Sequence, residues 1–305
     1  ATENKKKVAV VGAGPAGLAA STIAAQRGHN VTLFDASSEI GGQFNMAKQI
    51  PGKEEFYETI RYFNKQLELH KVTVKLNTKV SNEDLINADF DEIIIATGIK
   101  PRTPKIEGIE HKKVLNYIDV LKHKKPVGKR VAVIGAGGIG FDVSEYLAHE
   151  GESTSLHIDA WLKEWGIDKT FTARSGIEGM KPEVHPSPRE IFMFKRSKGK
   201  FGGKLGKTTG WIHRSTLKKK NVQFINEVQY TKIDDEGLHY IHNEEVKIAA
   251  VDTIVICAGQ TPFKELYQPL LEAEESVHII GGAAIAAELD AKRAISQGAR
   301  LAAKL

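Results

Sequence analysis

The stretch VAVVGAGPAGLAA at residues 8–20 decides how this chain folds. Four apolar residues predict a short buried strand, and Gly12, Gly14 and Gly17 follow it without a gap in the spacing GxGxxG. The first glycine permits a sharp turn, the second leaves room for a pyrophosphate, and the third lets the next helix pack closely. Because the N-terminal N–H groups of that helix then face the phosphates, the stretch predicts a dinucleotide-binding turn.

The residues after this turn complete a strand-turn-helix-strand unit. Residues 18–26 are rich in alanine and predict a helix, and residues 31–34 predict a second strand that ends at Asp35. A carboxylate at this position accepts hydrogen bonds from both hydroxyls of a ribose and repels a 2′-phosphate. The alternative is a structural glycine turn beside a solvated aspartate, which this context disfavours. We therefore expect the first unit to bind a nucleotide whose ribose is unphosphorylated.

Composition is typical of a folded protein of about two domains. The 305 residues are 41% hydrophobic and 27% charged, and no apolar run reaches the length of a membrane span. The polar start, ATENKKK, lacks the apolar core of a signal peptide, so we expect a cytoplasmic protein with no membrane partner. Lysine clusters contribute to the formal net charge of +5, but aromatic residues are not interleaved with them. We expect solvated surfaces there and no nucleic-acid partner.

The sequence contains a single cysteine, Cys257. One thiol cannot form a CxxC redox pair, a disulfide framework, or a four-thiolate iron–sulfur or zinc site. Cys257 lies in the apolar run VDTIVICAG, which predicts an inert buried thiol. We therefore predict no metal site, and a disulfide reductase is disfavoured.

The opening pattern returns in KRVAVIGAGGIGFDVSEYLA, at residues 129–148. Gly135, Gly137 and Gly140 follow the apolar run at residues 131–134, each displaced from its first counterpart by the same number of positions. Two matches at one spacing are far more specific than one. The chain is therefore predicted to carry a second dinucleotide-binding turn.

A second pair of apolar strands strengthens this repeat. DTIVICAG at residues 252–259 echoes DEIIIATG at residues 91–98, and the two strands end at Gly259 and Gly98. Each strand-turn-helix opening is thus paired with an apolar strand ending in glycine, which favours a parallel sheet in each unit. A final turn containing Gly282 can return the chain to the first nucleotide.

These patterns predict an α/β fold with two Rossmann-like dinucleotide-binding domains, the second inserted into the first. The first domain is expected to be discontinuous, at residues 1–105 and 261–305. The second is expected at residues 106–260.

The second unit carries cations where the first carries an acid. Residues 190–194 predict its second strand, which is followed by Lys195, Arg196, Ser197 and Lys198. Cations at this position would bind a 2′-phosphate and so select NADPH over NADH. The alternative is an exposed strand end with no ligand.

Two segments after the first unit's second strand offer further polar contacts. The loop at residues 37–43 contains two glycines, which allow the backbone to pass near a ligand, and Gln43 can donate and accept hydrogen bonds. Lys53 is either a solvated lysine or a phosphate contact. Residues 72–76 and Val80 predict strands.

With these motifs in place, the chain resembles the two-dinucleotide-domain flavoproteins of the glutathione reductase superfamily. Stretches outside the glycine turns, among them EWGID, GKTTGWIHR and ELDAKRAI, resemble the C-terminal half of the bacterial NADPH-dependent 2,4-dienoyl-CoA reductases. This resemblance runs over essentially the whole sequence. It implies that the first domain, residues 1–105 and 261–305, binds FAD and that the second, residues 106–260, binds NADPH. NADPH then reduces FAD in this half, and electrons pass through an iron–sulfur cluster to FMN in an N-terminal barrel. There a dienoyl-CoA from unsaturated fatty acid β-oxidation is reduced.

Motif and resemblance together define the predicted cofactor-binding residues. For the first unit they are Gly12, Gly14, Ala16, Gly17, Asp35, Gln43, Lys53, Val80, Gly98 and Gly282, and for the second they are Gly135, Gly137, Gly140, Lys195, Arg196, Ser197 and Gly259. The assignment of Val80 comes from the resemblance alone. Relatives usually carry an aspartate in the turn GGxD, where this sequence has Ala284, so FAD is expected to bind more weakly.

The sequence favours an NADPH-dependent flavin reductase module that passes electrons to an FMN- and iron–sulfur-containing barrel domain or chain. Neither the barrel nor the cluster cysteines occur in this sequence, so this chain alone is not expected to reduce dienoyl-CoA. Hydride transfer needs no acid or base from the protein, and we therefore predict no catalytic residue. The alternative is a non-catalytic module of a larger flavoprotein that binds ADP or FAD, an interpretation motivated by Ala284.

Overall fold

A computed structural model describes residues 2–286 and 290–305, and it divides the chain into two compact units. Unit 1 comprises Ala1–Lys48, Glu55–Lys100 and Gln260–Leu305, and unit 2 comprises Gln49–Glu54 and Pro101–Gly259. The main transitions lie within five residues of those predicted, and the short segment at residues 49–54 was expected in the other unit. The assignment of the units to FAD and NADPH stays a prediction.

The strands in chain order are β1 (Lys7–Val11), β2 (Asn30–Phe34), β3 (Thr73–Lys75), β4 (Glu92–Ile95), β5 (Ile99–Pro101), β6 (Val114–Asn116), β7 (Arg130–Ile134), β8 (Glu190–Phe194), β9 (Gln223–Ile225), β10 (Gln229–Asp234), β11 (Gly237–His242), β12 (Glu245–Ala249), β13 (Thr253–Ile256), β14 (Gln260–Pro262) and β15 (Val277–Ile279). The α-helices are α1 (Pro15–Arg27), α2 (Phe44–Ala47), α3 (Phe56–Leu69), α4 (Asn82–Ile86), α5 (Tyr117–Leu121), α6 (Gly138–Leu147), α7 (Ile158–Trp165), α8 (Gly210–Lys219), α9 (Tyr267–Glu272) and α10 (Ala291–Ala302).

Unit 1 is built on a five-stranded parallel sheet in the order β15-β4-β1-β2-β3. In β1, Val8 and Val10 enter the core formed with α1, α3 and α10, while Ala9 and Val11 enter a second core on the other face. Because both faces are covered, the strand is a continuous apolar run with no polar alternation. The predicted α/β class is confirmed in this unit.

Unit 2 repeats this arrangement with the parallel order β6-β13-β7-β8-β9. An antiparallel sheet, β10-β11-β12, supplies Leu238 and Tyr240 to the core that also contains Ala132 and Ile134 of β7. Helices α6 and α8 contact each other, and α6 also contacts β7 and β8. The glycine-turn strand therefore has equivalent inner neighbours in both units: β4 and β2 beside β1, and β13 and β8 beside β7.

Helix α1 shows how the local sequence sets its ends. It begins at Pro15, whose fixed φ suits the first helical position, and it is followed by Gly28 with φ of 103°. The N–H of Gly28 donates to carbonyls of the last helical turn, which closes the helix in a left-handed cap.

One local prediction, a strand at Val80, is wrong. Val80 lies outside the strands, because Ser81 exchanges hydrogen bonds with Asp84 and starts α4 immediately after it. The last helix, α10, begins at Ala291, where the side chain of Asp290 caps it. Part of the stretch ELDAKRAI, at residues 288–289, lies outside the described residues.

Within residues 2–286 and 290–305, no helix combines the length and the apolar character that crossing a bilayer would require. The cytoplasmic location stays a prediction.

Candidate nucleotide-binding sites

The first glycine turn is closed against neighbouring backbone at two of its three glycines. The N–H of Gly12 donates to the carbonyl of Phe34, 2.8 Å away, at the end of β2. A Cβ on Gly12, whose φ is 110°, would lie 2.4 Å from the carbonyl oxygen of Ala96. A Cβ on Gly17 would lie 1.8 Å from the carbonyl oxygen of Gly12. Only glycine fits these two positions, because the opposing atoms belong to the backbone.

The middle glycine is open. Apart from Gly14 itself and its immediate chain neighbours, no described residue has a heavy atom within 4 Å of the position that a Cβ on Gly14 would take. Gly14 is also the N-cap residue of α1, and no side chain of the described part caps this helix. The N–H groups of Ala16 and Gly17 therefore lack an acceptor within the helix, and the positive end of its dipole faces this space. These features fit the pyrophosphate of a dinucleotide.

Asp35 lies beside this turn. Its Oδ2 accepts from the N–H of Ala13 and its Oδ1 from the N–H of Ser37, both at 2.7 Å. The carbonyl of Asp35 accepts from the N–H of Thr78 at 2.9 Å, which brings the segment containing Val80 close to the strand end. Each carboxylate oxygen keeps a further lone pair, so the group can still accept hydrogen bonds from a ribose.

The loop before α2 passes directly over the first turn. The N–H of Gly41 donates to the carbonyl of Ala13 at 2.8 Å, and a Cβ on Gly42 would lie 2.8 Å from the Cα of Gly14. This close approach explains why two glycines are present. It also places Gln43, which is half-buried, at the start of α2 next to the turn.

The last turn of unit 1 returns to the same place. A Cβ on Gly282 would lie 3.3 Å from the Cα of Gly98, and a Cβ on Gly281 would lie 2.8 Å from the Cβ of Ala16. Ala284 follows in this turn, and its N–H donates to the carbonyl of Gly281. Most of the residues predicted to hold FAD are therefore neighbours in unit 1.

Lys53 is the exception. It belongs to the short segment assigned to unit 2, and its Nζ lies 2.5 Å from Oδ1 of Asp142 on α6. Sequence reasoning missed this ion pair, because nothing local connects two positions so far apart. A contact between Lys53 and FAD stays a prediction.

The second glycine turn repeats the geometry of the first. The N–H of Gly135 donates to the carbonyl of Phe194 at 2.9 Å, and a Cβ on Gly135 would lie 2.3 Å from the carbonyl oxygen of Cys257. A Cβ on Gly140 would lie 1.9 Å from the carbonyl oxygen of Gly135. Around Gly137 the described atoms again leave the Cβ position open, and it starts α6 with no side-chain cap from the described residues. This turn fits a second pyrophosphate.

Lys195, at the end of β8, is directed at its own loop. Its Nζ lies 3.4, 2.5 and 3.1 Å from the carbonyl oxygens of Lys198, Gly199 and Lys200. It also lies over the ring of Phe201, 4.7 Å from the centroid. An ammonium has three N–H donors, and all three are used here. Lys195 therefore orders the loop, and this geometry disfavours the predicted direct contact with a nucleotide.

Arg196 and Ser197 are exposed after the same strand. In the part of the chain that the structure describes, no carboxylate forms an ion pair with Arg196. Burial raises the pKa of the Tyr230 hydroxyl, whereas the nearby charge of Arg196 lowers it. Arg196 is thus available to an anionic ligand at the end of β8.

Gly259 ends the strand segment that flanks the second turn, and its φ is 96°. A Cβ there would lie 3.5 Å from Nη2 of Arg102. The guanidinium of Arg102 donates twice to the carbonyl of Ala258, at 2.9 and 2.5 Å. Arg102 is a residue that sequence reasoning missed, and it holds this segment beside the second turn.

A buried pair joins α6 to α8. Oε1 of Glu145 lies 2.8 Å from Nδ1 of His213, and the carboxyl is almost completely buried. Burial raises the pKa of Glu145, while its hydrogen bond to His213 works against that rise. The same hydrogen bond raises the pKa of His213. The pair fixes the helix that follows the loop after Lys195.

Three possible metal ligands meet at the β10–β11 hairpin, where atoms of Asp234, Glu236 and His239 lie within 4.8 Å of one another. Asp234 already accepts from His239 and forms an ion pair with Lys232, both at 2.8 Å. This hydrogen bond and this ion pair explain why the three side chains lie together, because they stabilise the hairpin.

Cys257 is buried, and burial raises the pKa of its thiol, so it stays protonated at neutral pH. This agrees with the inert thiol expected from the sequence.

Comparison with known proteins reveals relatives along almost the whole chain. The model of the pyridine nucleotide-disulphide oxidoreductase family matches residues 6–279. A cinnamate reductase of Clostridium sporogenes is 35% identical over 286 residues, which cover 92% of this chain and 37% of that protein. A metal reductase of Desulforamulus reducens is 29% identical over 286 residues, 92% of this chain and 42% of that protein.

Among solved structures, a 2-naphthoyl-CoA reductase superposes with a TM-score of 0.82 at 28% identity, covering 99% of this chain and 40% of that chain. This chain therefore spans about two fifths of the length of these relatives. The family binds FAD and NAD(P)H, and both glycine turns have the open space and the N–H donors that such dinucleotides need. The chain belongs to the pyridine nucleotide-disulphide oxidoreductase family, as a flavin-dependent oxidoreductase module.

Proposed function

We propose that this chain is an NADPH-dependent flavin reductase module, which binds FAD in unit 1 and NADPH in unit 2. The observation that carries the proposal is the opposite charge at two equivalent strand ends. Asp35 accepts a hydrogen bond from the first glycine turn, whereas Arg196 is exposed after the corresponding strand of unit 2. A carboxylate suits an unphosphorylated ribose, and a guanidinium suits a 2′-phosphate.

When bound, NADPH supplies a hydride and FAD accepts it and holds the electrons for onward transfer. The residues of the chain contribute binding and orientation. The open turns at Gly14 and Gly137 bind the pyrophosphates, Asp35 binds the ribose of FAD, and Arg196 with Ser197 binds the 2′-phosphate. No side chain is assigned a catalytic role.

The electron acceptor in this proposal is an FMN- and iron–sulfur-containing barrel domain, on the same polypeptide or on another chain. The single cysteine means that the thiolates of such a cluster come from outside this sequence. The greater length of the relatives leaves room for such a domain. The final substrate proposed is a 2,4-dienoyl-CoA of unsaturated fatty acid β-oxidation. The relatives named for cinnamate and 2-naphthoyl-CoA support a conjugated acyl substrate.

Rapid mixing tests the first half of this proposal. Protein saturated with FAD is mixed with NADPH without oxygen, and the absorbance of oxidised flavin is expected to fall. Arg196→Ala is expected to weaken NADPH binding about tenfold or more and to leave NADH binding nearly unchanged, because it removes a charge-assisted hydrogen bond to the 2′-phosphate. Arg174→Ala, an exposed arginine of the same unit, is the matched control.

Two outcomes would contradict the proposal. Flavin that keeps its absorbance with excess NADPH would exclude the reductase activity. Equal losses for NADPH and NADH in Arg196→Ala would mean that Arg196 does not contact the 2′-phosphate.

A second candidate function is a non-catalytic module that binds ADP or FAD within a larger flavoprotein. Ala284 motivates it, because relatives usually place at this position an aspartate that binds the ribityl chain of FAD. A protein that purifies colourless and binds ADP in preference to FAD would favour this candidate, since bound oxidised flavin is yellow.

A further inference from the structure

Beyond the glycine turns, each unit contains an equivalent pair of backbone hydrogen bonds. In unit 1, the N–H of Asp35 donates to the carbonyl of Lys75 at 3.0 Å, and the carbonyl of Asp35 accepts from Thr78 at 2.9 Å. Two residues later comes Val80, a side chain that is 8% exposed and packs in the core with Phe34. These two hydrogen bonds join the end of β2 to the end of β3 and to the segment that follows β3.

Unit 2 contains the same pair of hydrogen bonds. The N–H of Lys195 donates to the carbonyl of Ile225 at 3.0 Å, and the carbonyl of Lys195 accepts from Val228 at 3.3 Å. Two residues later comes Tyr230, which therefore occupies in unit 2 the position that Val80 occupies in unit 1. Sequence comparison does not reveal this match, because the loops between these segments differ in length.

Tyr230 has the surroundings of a ligand contact. Its ring packs partly against the core of unit 2, and its backbone lies opposite Tyr240 in the β10–β11 pair. The register shifts between Tyr230 and Lys232, and such irregularities redirect side chains and occur often beside binding sites. The hydrogen bond from Val228 to Lys195 places the segment containing Tyr230 at the strand end that Arg196 follows.

We propose that Tyr230 is a binding residue of the second nucleotide site, and that its ring packs against the adenine of the bound dinucleotide. The inference rests on the proposed function, because it takes Arg196 as the contact of the 2′-phosphate. That phosphate and the adenine are attached to the same ribose, so a residue beside Arg196 lies next to the base. An aromatic ring offers the base a flat, apolar face, which a valine at the same position does not.

Calorimetry with 2′,5′-ADP tests this contact without requiring activity. The protein is saturated with FAD, so that the first site is filled, and is then titrated with 2′,5′-ADP and with NADPH. Tyr230→Ala is expected to weaken both ligands about tenfold, because the ring that covers the base is lost. Tyr230→Phe keeps the ring and is expected to bind within about twofold of the unaltered protein. Tyr62→Ala, an exposed tyrosine of unit 1 (52% exposed), is the matched control.

If Tyr230→Ala does not fold, Tyr230→Leu supplies the same test with the core contact retained, and a loss of about threefold or more is expected. Unchanged affinity in the variants that lack the ring would overturn the inference. Equal losses in Tyr230→Phe and Tyr230→Ala would also overturn it, because the hydroxyl would then be the contact. Failure of the unaltered protein to bind 2′,5′-ADP and NADPH would be a failure of the proposed function, and the inference would fall with it.

Discussion

The ends of β2 and β8 have the same backbone geometry and opposite side-chain behaviour. Asp35 turns inward and accepts from the N–H of Ala13 in the glycine turn. Lys195 turns away and donates to three carbonyls of its own loop. The N–H groups of a glycine turn and the helix behind it form a positive region, which attracts a carboxylate and repels an ammonium. The charge of the residue after the strand therefore decides whether its side chain binds the glycine turn or the loop that follows.

The largest effect is expected when a glycine that closes the first turn is replaced. Gly17→Ala is expected to lower the free energy of unfolding by about 3 kcal/mol or more, because its Cβ would overlap the carbonyl oxygen of Gly12. Gly14→Ala is the control, since its Cβ enters open space and leaves stability nearly unchanged while FAD binding weakens. Denaturant unfolding measures both. Equal stability of the two variants would mean that the turn relaxes freely.

A second test adds a carboxylate to the first site. Ala284→Asp is expected to tighten FAD binding about tenfold or more, because it provides a charge-assisted hydrogen bond to the ribityl chain. Titration followed by flavin fluorescence measures the affinity, and Ala284→Asn separates the charge from the shape. Unchanged affinity would show that the turn at Gly281 does not reach the ribityl chain.

The smallest effect is expected at the second strand end. Lys195→Met is expected to speed tryptic cleavage after Lys198 and Lys200 several-fold without nucleotide, because three carbonyls lose their common donor. NADPH affinity should fall only about threefold, since Lys195 is not itself a phosphate contact. Lys207→Met, an exposed lysine farther along the loop, is the control. A loss of affinity as large as that of Arg196→Ala, with unchanged cleavage, would instead make Lys195 a direct ligand.

Much of the fold was predictable, because its signals are local. The turns need glycine at fixed spacings, because a Cβ would overlap neighbouring backbone. The apolar runs of β1 and β7 and the acid after β2 can likewise be read directly from the sequence. The strand predicted at Val80 was wrong, because the capping box from Ser81 to Asp84 outweighed its strand propensity. Boundaries were the least predictable feature, because they depend on caps and on small differences in propensity.

The candidate sites were predictable in position and less so in detail. The pairing of Lys53 with Asp142 and of Glu145 with His213 joins segments distant in sequence, and no pattern of spacing reports it. Tyr230 likewise becomes the counterpart of a residue in unit 1 only through hydrogen bonds that span long loops. Such contacts depend on which surfaces the folded chain brings together.

The sequence by itself determined two phosphate-binding turns and an acid after one of the following strands and cations after the other, because glycine conformation and residue charge are local properties. Only the tertiary structure decided where those charges point. Asp35 accepts from the N–H of Ala13, which is 22 positions away, whereas Lys195 donates to carbonyls of the folded loop that follows it. A side chain takes the direction in which its charge is best compensated, and that direction exists only once the chain has folded.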